Sequence, residues 1–395
     1  MFIECAEPLI GRESSLTKRI KVMQLQVSFN GTMADLAEQI IQGLPAERFE
    51  VTTAFLRGRP GVHDKQSCAF RSVYFDFKQA ELKGVRRFKA LWRLYNHCRE
   101  EGYDVIIAHR FKPMNMLMLL NTRLKVPVCI GIQHGIGDFD RFLRRLEARL
   151  LIRSNWKTVG VSRAVRDYLT NCRAGFTPEN TIQINNAIDV ERAENLQLSR
   201  PDARASLGLP AESFILGCIG RLVPVKGHVL LVDAFSRLQN DYPDVHVAII
   251  GEGRSRQSIE NAIKQHGVQG RVHLLGAREE ALQYVRAFDA FLMPSTTEGL
   301  PLALLEGMSG HLPVLGSDID SLRPILEDCG GQMFESGNVE SLTKELISLL
   351  EMTEQERKAK GEQAYVYLCK NHSIDDFRQQ YRDLIDGLLS ARRVA

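Results

Sequence analysis

A cationic segment in the second half of the chain has the residue types that bind diphosphates. Residues 220–227 follow an apolar run, so Arg221 stands at the end of an expected strand and Lys226 near the start of the next helix. Two cations at a helix N-terminus bind a diphosphate through charge and through free backbone N–H groups. On spacing alone, two surface cations flanking a turn remain the alternative.

An acidic segment further along the chain suits sugar hydroxyls. Glu298 precedes an expected helix, and Glu306 lies on that helix among apolar neighbours. A carboxylate accepts hydrogen bonds from adjacent hydroxyls, so two carboxylates suit two sugar diols. Pro301 fits the first helical position, which would leave the N–H groups of Leu302 and Ala303 available to phosphate oxygens. The alternatives are a favourable contact with the helix dipole for Glu298 and a solvated helix face for Glu306.

Apolar runs typical of strands alternate with helix-period segments along nearly the whole chain. The runs that predict strands are 22–28, 49–55, 72–75, 105–108, 126–132, 158–161, 214–219, 245–250, 272–274, 290–293 and 314–316. Alternation of continuous apolar strands with helices predicts parallel sheets covered on both faces. Two such arrays in series predict an α/β protein with two Rossmann-like, doubly wound parallel-sheet domains facing a cleft, where ligands bind beyond the carboxyl ends of the strands.

The length of 395 residues also favours two domains, because one domain commonly takes about 150 residues. We expect a first domain over residues 1–190 and a second domain over 191–373. A polar linker is expected near 190–210. The last segment, 374–395, predicts a helix that packs back toward the first domain.

Taken together, the two charged segments resemble the signatures of the retaining family 4 glycosyltransferases of the GT-B fold. The family signatures are Arg-x4-Lys and Glu-x7-Glu, matched here by Arg221 with Lys226 and by Glu298 with Glu306. Supporting matches to the family stand at 159–165, 184–189, 249–253, 272–276 and 310–314. The resemblance is strong from residue 158 onward, and the ordered set of motifs makes it specific.

The resemblance implies a role for each matched residue. Arg221 and Lys226 would bind the diphosphate of a nucleotide-sugar donor, and Glu306 would hold the ribose hydroxyls. Glu298 would contact the transferred sugar. Further donor contacts would come from backbone and loop positions that follow the family pattern, namely Gly299, Leu300, Leu302 and Arg278.

The first domain would supply the opposite wall of the cleft. His134 follows an expected strand and fits the position of the family's active-site histidine, so it would act with Glu298; a histidine in a glycine turn is the alternative. Gly31 stands where the family often has a Gly-Gly pair and would let the backbone approach the donor phosphate. His109 and Arg110 end another strand at the same edge and would line the acceptor side of the cleft.

Composition excludes several classes of protein. Apolar residues make up 44% and charged residues 25% of the chain, which is typical of soluble globular proteins and not of disordered, collagenous or coiled-coil chains. No apolar run approaches the ~20 residues that span a bilayer, and the acidic N-terminus does not predict a secretory signal. Eight cysteines without Cys-x-x-Cys spacing predict reduced thiols of a cytoplasmic protein.

Charge is distributed unevenly between the two halves. Residues 1–190 hold 29 Lys and Arg against 19 Asp and Glu, whereas 191–395 hold 22 against 29. Two basic segments of the first half, 83–93 and 141–153, are amphipathic, which suits an anionic surface such as the cytoplasmic face of the inner membrane. A core-packed helix with a charged outer face is the alternative. No nucleic acid partner is expected.

The resemblance implies retaining transfer of a sugar from a nucleotide-diphosphate donor to a hydroxyl of a glycan or glycolipid, in bacterial cell-envelope glycan or lipopolysaccharide core synthesis. No metal or other cofactor is expected, because cations and helix N–H groups would offset the diphosphate charge. The Asp-x-Asp patterns at 138–140 and 318–320 lie outside the context of a metal site. A nucleotide-sugar epimerase of the same fold and a non-catalytic nucleotide-sugar-binding subunit are the alternatives.

Overall fold

Two parallel β-sheets organise the chain in the computed structural model, which describes residues 18–29, 36–62 and 64–394. Within these residues the strands of the first sheet are β1 (Ile20–Ser28), β2 (Phe49–Arg57), β3 (Arg71–Tyr74), β4 (Val105–His109), β5 (Val128–Gln133), β6 (Trp156–Gly160) and β7 (Thr181–Gln183). The strands of the second sheet are β8 (Phe214–Ile219), β9 (Val245–Ile250), β10 (Val272–Leu274), β11 (Ala290–Met293), β12 (Val314–Asp318) and β13 (Gln332–Glu335).

Helices connect the strands and cover the sheets. In the first half they are α1 (Leu36–Gln42), α2 (Arg87–Glu101), α3 (Phe111–Leu124), α4 (Phe142–Leu151) and α5 (Arg163–Asn171). The later helices are α6 (Val190–Leu196), α7 (Arg200–Leu207), α8 (His228–Ser236), α9 (Arg256–Gln265), α10 (Leu302–Ser309), α11 (Arg323–Asp328), α12 (Val339–Glu351), α13 (Glu354–Asn371) and α14 (Ile374–Val394). Short 3-10 helices lie at Gln79–Leu82, Gly84–Arg86, Pro224–Lys226 and Ala281–Ala287.

The two sheets share one topology. The first sheet has the order β3-β2-β1-β4-β5-β6-β7 and the second has β10-β9-β8-β11-β12-β13. Every strand pair within both sheets is parallel. In each sheet the order reverses direction once, between β1 and β4 and between β8 and β11. This confirms the predicted α/β fold with two doubly wound sheets, and ligands bind such sheets at the reversal point.

Burial explains why most strands were readable from the sequence. All five residues of β4 and all four of β11 are buried, so these strands show as continuous apolar runs. The predicted bounds of β8 to β11 match the observed ones. The edge strands β7 and β13 were not predicted, because each is short, carries polar residues and is only partly buried.

The segment near 190–210, where a polar linker is expected, contains two helices. Asp189 caps α6, since its side chain accepts a hydrogen bond from the Arg192 N–H, and Ser199 caps α7 by accepting from the Asp202 N–H. Pro201 lies in the first turn of α7, where its missing N–H costs nothing. A polar stretch with two good N-caps therefore favours short helices over an extended connection.

The chain passes between the two sheets twice, at adjacent places. Ile188 and Ser373 form an isolated parallel bridge, and the Ile188 N–H donates to the His372 carbonyl at 3.2 Å. After the second passage, α14 lies against α1 of the first unit. There the Arg378 guanidinium donates to Gln39 Oε1 at 2.6 Å, and Arg382 Nε donates to the Gly43 carbonyl at 2.8 Å.

Candidate functional site

The two charged segments lie at the carboxyl edge of the second sheet. Strands β8 and β11 are neighbours and parallel, so the loops that follow Ile219 and Met293 emerge side by side. A backbone hydrogen bond joins these loops, because the Thr296 N–H donates to the Val225 carbonyl at 2.8 Å. The reversal point of the second sheet thus places the cationic and acidic segments in one site.

Lys226 and Glu298 form a close ion pair within this site. Their Nζ and Oε1 atoms are 2.5 Å apart, and the side chains are 16% and 11% exposed. Gly227 allows the loop after β8 to lie directly against Pro294 of the loop after β11. Its φ is +68°, and a Cβ at this position would lie 1.9 Å from the Pro294 carbonyl oxygen. Arg221, at the end of β8, is exposed. The site therefore presents an exposed cation, Arg221, beside Lys226, which is held by a carboxylate.

A helix N-terminus lies next to this ion pair. Helix α10 begins at Leu302, and Pro301 is its N-cap with extended backbone, not its first helical residue as predicted. The Leu304 N–H already donates to the Pro301 carbonyl at 3.2 Å. The N–H groups of Leu302 and Ala303 precede it and have no partner within the helix, as at any helix start. They remain suited to bind an anion there.

Glu306 lies one turn further along α10 in a setting that disfavours its charge. Burial raises the pKa of its carboxyl to about 7, and the nearby Glu280 carboxylate adds to this shift. The Arg192 guanidinium opposes the shift without cancelling it. The carboxyl is thus protonated in part near neutral pH and is an apt partner for hydroxyl groups.

A charged cluster next to Glu306 was not predicted from the sequence. Glu280 Oε1 accepts hydrogen bonds from Arg192 Nη2 at 2.8 Å and from Lys65 Nζ at 3.2 Å. Burial raises the pKa of Glu280, but these two cations outweigh it and leave the pKa below the usual value. Lys65 belongs to the first unit, so this cluster bridges the cleft. Arg192 and Glu280 are separated by 88 positions in the sequence, and Lys65 and Glu280 by 215. No local spacing in the sequence therefore predicts this cluster.

His134, which is partly buried, and His109, which is buried, form a pair at the carboxyl edge of the first sheet. His109 ends β4 and is 5% exposed, and its Nδ1 lies 3.3 Å from Nε2 of His134, which follows β5. Burial, and then the charge of Arg110, lower the pKa of His134 to about 3; burial and the neighbouring His134 hold the pKa of His109 well below its usual value. Both rings are therefore neutral, and one N–H donates to the other ring.

Arg110 directly follows His109 in the chain. Its side chain is exposed, and its backbone has a φ of +70°, a left-handed conformation that is uncommon for a residue with a side chain. The Arg110 N–H donates to the Ile132 carbonyl at 2.7 Å, which holds this turn at the start of α3. His109 thus contacts His134, whereas Arg110 faces solvent.

The two walls of the cleft touch at Gly299. A Cβ at this position would lie 2.2 Å from the His134 carbonyl oxygen, so only a glycine allows the two loops to approach so closely. The contact is reinforced next to it, where Asn186 Nδ2 donates to the Leu300 carbonyl at 2.8 Å. His134 and the segment with Glu298 are thus brought together from opposite units.

The remaining predicted positions are less closely connected to the ion pair. Arg278 is exposed in the loop after β10, where Gly276 has a φ of +74° and its carbonyl accepts from the Gly251 N–H at 2.8 Å. Gly31 lies outside the described residues. Leu302 is partly buried at the start of α10.

The described residues lack a cluster of metal-ligating side chains. Residues 18–29, 36–62 and 64–394 contain no group of three or more His, Cys, Asp or Glu side chains placed to hold a metal ion. In the Asp-x-Asp patterns, Asp138 lies 3.7 Å from Arg144 and Asp318 2.5 Å from Arg323. No helix in the described part of the chain has the length and hydropathy to span a bilayer.

Two family models match consecutive parts of the chain. Residues 33–192 match the model described as glycosyltransferase family 4, and residues 199–366 match that of glycosyl transferases group 1. The lipopolysaccharide core biosynthesis glycosyltransferase LpsD of Rhizobium meliloti is 31% identical over 312 residues, which are 75% of this chain and 78% of LpsD. The chain therefore belongs to the group 1, family 4 glycosyltransferases.

Other relatives and solved structures agree with this assignment. An Escherichia coli galactosyltransferase that uses UDP-Gal and a GlcNAc-diphosphoundecaprenol is 24% identical over 352 residues, covering 84% of this chain and 88% of that protein. The structure of Anabaena HepE with UDP and glucose has a TM-score of 0.79 at 20% identity and covers 93% of this chain and all of that one. These likenesses confirm the GT-B fold and a transferase of glycosyl groups.

Proposed function

We propose that this glycosyltransferase moves a sugar, with retention at the anomeric carbon, from a nucleotide-diphosphate donor to a hydroxyl of a cell-envelope glycolipid. Lipopolysaccharide core is the acceptor class that its similarity to LpsD supports. The UDP complex of HepE and the UDP-Gal named for the Escherichia coli relative make UDP-hexoses the first donors to screen. The proposed place of action is the cytoplasmic face of the inner membrane.

The contact between Gly299 and the His134 carbonyl is the observation that carries this proposal. It brings a neutral histidine of the first unit against the loop that holds Glu298 in the second. A sugar bound at this junction would meet hydrogen-bonding groups from both sides. We infer that His134 and Glu298 orient the sugar, with the backbone of Gly299, Leu300 and Leu302 beside it.

The donor diphosphate would bind where Lys226 and Arg221 meet the start of α10. Lys226 is paired with Glu298 at 2.5 Å, so donor binding requires Lys226 to share its charge with the phosphate oxygens. That exchange would release Glu298 to accept hydroxyl groups of the sugar. Glu306 would hold the ribose hydroxyls, and the loop with Arg278 would lie against the base.

Breaking the bond between sugar and diphosphate builds negative charge on the departing phosphate. Groups that are placed to meet this charge stabilise the transition state more than the ground state. In this proposal, Arg221, Lys226 and the N–H groups at the start of α10 would meet that charge. We infer that these groups replace a metal ion, and we expect transfer to continue when EDTA is present.

The donor site can be tested by three single variants. Arg221→Ala, Lys226→Ala and Glu298→Ala should each lower kcat by at least ~10²-fold, as the loss of one stabilising group does in other enzymes. Lys358→Ala is the matched control, because Lys358 makes an equally short 2.5 Å ion pair with Glu354 but is 76% exposed. Near-normal turnover in all three folded variants would reject the site.

The stereochemistry and reaction class need a separate measurement. NMR of the product should show the same anomeric configuration as the donor, and an inverted product would reject retention. Incubation of donor without acceptor should leave the sugar unchanged; an epimerised sugar would instead identify an epimerase. Donor binding without transfer to any envelope glycolipid would favour a non-catalytic subunit.

A further inference from the structure

An exposed apolar surface covers two helices of the first unit. Among the described residues, twelve large apolar side chains are exposed, and seven of them lie on the segments 83–93 and 141–153. On α4 these are Phe142, Leu143, Leu146 and Leu150, with exposed fractions of 66%, 75%, 41% and 67%. Only Ala148 of α4 is buried. The helix therefore turns its apolar stripe to solvent, which is the reverse of a core-packed helix.

The second part of this surface belongs to α2 and the turn before it. Val85, Phe88 and Trp92 follow each other at helical spacing and are 82%, 72% and 65% exposed. An ion pair connects the two helices, since Arg87 Nη2 lies 3.7 Å from Glu147 Oε1. The exposed apolar residues of both helices are called the α2–α4 surface below.

Positive charge surrounds the α2–α4 surface. The segments 83–93 and 141–153 contain ten Lys and Arg residues and one acid, Glu147. Arg141, Arg145, Arg149 and Arg153 alternate with the apolar residues of α4. Folded monomers seldom expose so many large apolar side chains on neighbouring helices, and cations interspersed with them match an anionic layer with an apolar interior.

Further cations converge beside this surface at the carboxyl edge of the first sheet. Lys112, in the first turn of α3, has a lowered pKa because it is partly buried and because Lys83, Arg57, Arg87 and Arg144 repel its charge. The Arg144 guanidinium lies 4.2 Å from the centre of the Phe111 ring. Such a concentration of like charge in one place favours binding of phosphate groups.

We propose that the α2–α4 surface docks on an anionic lipid bilayer, with Phe88, Trp92 and the apolar stripe of α4 among the acyl chains and the surrounding cations on the lipid phosphates. This inference extends the proposed function, because the loop 134–141 connects His134 directly to α4. Docking would thus place the acceptor side of the cleft at the membrane surface, where a lipid-linked hydroxyl can enter it.

Vesicle binding of the full chain, without donor or acceptor, tests the surface independently of glycosyl transfer. Wild-type protein should sediment with phosphatidylcholine vesicles that contain phosphatidylglycerol, and less with phosphatidylcholine alone. Trp92→Ala and Leu143→Ala should each lower vesicle affinity about tenfold. Arg149→Glu should lower it about fivefold or more, with the largest difference at low salt.

Phe70→Ala is the matched control, because Phe70 is 62% exposed and lies outside the α2–α4 surface. It should bind vesicles like the wild type, and all variants should keep the wild-type melting temperature. Equal binding by the wild type and the surface variants, or no binding by the wild type, would overturn the proposal. So would a dimer that Trp92→Ala dissociates, which would assign the surface to a second copy of the chain.

A thermal shift with UDP reports the donor site separately, so failure of docking and failure of the proposed function are distinguishable.

Discussion

The raised pKa of Glu306 suits hydrogen bonding to hydroxyl groups but lowers the stability of the folded protein when the carboxyl ionises. Its burial and the nearby Glu280 carboxylate raise its pKa to about 7 from an ordinary value of 4.5. A role with ribose hydroxyls suits a group that can both donate and accept near neutral pH. The same shift makes the carboxyl a source of instability when it must ionise inside the folded protein.

We therefore predict a pH-dependent effect of Glu306→Gln on the free energy of unfolding. Below pH 4.5 the carboxyl is protonated in both the folded and the unfolded chain, so pH has no effect through this group. From there to about pH 7 the unfolded chain loses the proton first, so the folded state is disfavoured increasingly, by about 3 kcal/mol in total. Wild type should thus lose stability relative to Glu306→Gln across this window.

Urea denaturation of both proteins across the window measures this difference. Glu340→Gln is the control, because the Glu340 side chain is 83% exposed and its substitution removes no buried carboxyl. A constant difference between wild type and Glu306→Gln at every pH would contradict the shifted pKa.

At the scale of elements, the cleft depends on two loops that meet at Gly299. The Glu298 loop follows β11 and the His134 loop follows β5, each at the carboxyl edge of its sheet. Their separation is set by the absence of a side chain at Gly299. A small change in this contact therefore changes the distance between His134 and Glu298, the two residues proposed to orient the sugar.

Gly299→Ala should therefore push the two loops apart. A Cβ placed 2.2 Å from the His134 carbonyl oxygen requires backbone movement, which should cost about 1–3 kcal/mol of stability. Turnover should fall by at least ~10²-fold, because positioning is lost. Gly135→Ala is the control, since its Cβ would meet no atom within 4 Å. Equal turnover of both variants would show that the contact does not position the site.

Arg204 of α7 connects several elements of the second unit through one buried side chain. It is 1% exposed and donates to the carbonyls of Ala287 and Ser213, each at 2.9 Å. Its Nη2 also lies 2.7 Å from Asp289 Oδ2. The helix in the region expected to be a linker is thereby attached to the amino edge of the second sheet.

Arg204→Ala should lower the free energy of unfolding by about 3–5 kcal/mol, because it leaves buried carbonyls and a carboxylate unpaired. The control is Arg200→Ala. Arg200 contacts the same Asp289 at 2.6 Å but is 51% exposed, so its loss should cost at most about 1 kcal/mol. Similar costs for both variants, measured by urea denaturation, would contradict the argument from burial.

At the scale of the whole molecule, α14 returns the end of the chain to the first unit. Beyond the bonds of Arg378 and Arg382, Arg48 Nη2 lies 2.8 Å from Asp386 Oδ1. Phe377, Tyr381 and Ile385 of α14 are 3%, 1% and 0% exposed. A helix from the last part of the sequence thus completes the apolar core around the first sheet.

Tyr381→Ala should destabilise the first unit by about 3–5 kcal/mol, as the loss of a large buried aromatic does. Gln380→Ala, which alters an exposed position one residue away, should have no such effect. In the Tyr381→Ala protein, the backbone amides of the first sheet's strands should exchange their hydrogens faster than in the wild type. Faster exchange confined to α14 in the Tyr381→Ala protein would show that α14 adds little to that core.

Local patterns in the sequence determined most strands, the doubly wound class and the charged segments, because a buried parallel strand must be apolar and an anion site needs cations near a helix start. The edge strands β7 and β13 and helices α6 and α7 were missed, since partly buried polar residues lack that pattern. Arg221, Lys226, Glu298 and Glu306 were predicted as site residues from their spacing and from resemblance to a family, and their roles stay predictions.

Only the tertiary structure decided how distant groups combine. The Lys226–Glu298 pair, the Glu280 cluster with Lys65 and Arg192, and the approach of Gly299 to His134 join residues far apart in the chain. Distances and burial set their ionisation, and neither is encoded in any single segment. The exposure of the apolar residues on α2 and α4 was likewise decided by packing, because an amphipathic pattern shows that a helix has an apolar face but not what that face meets.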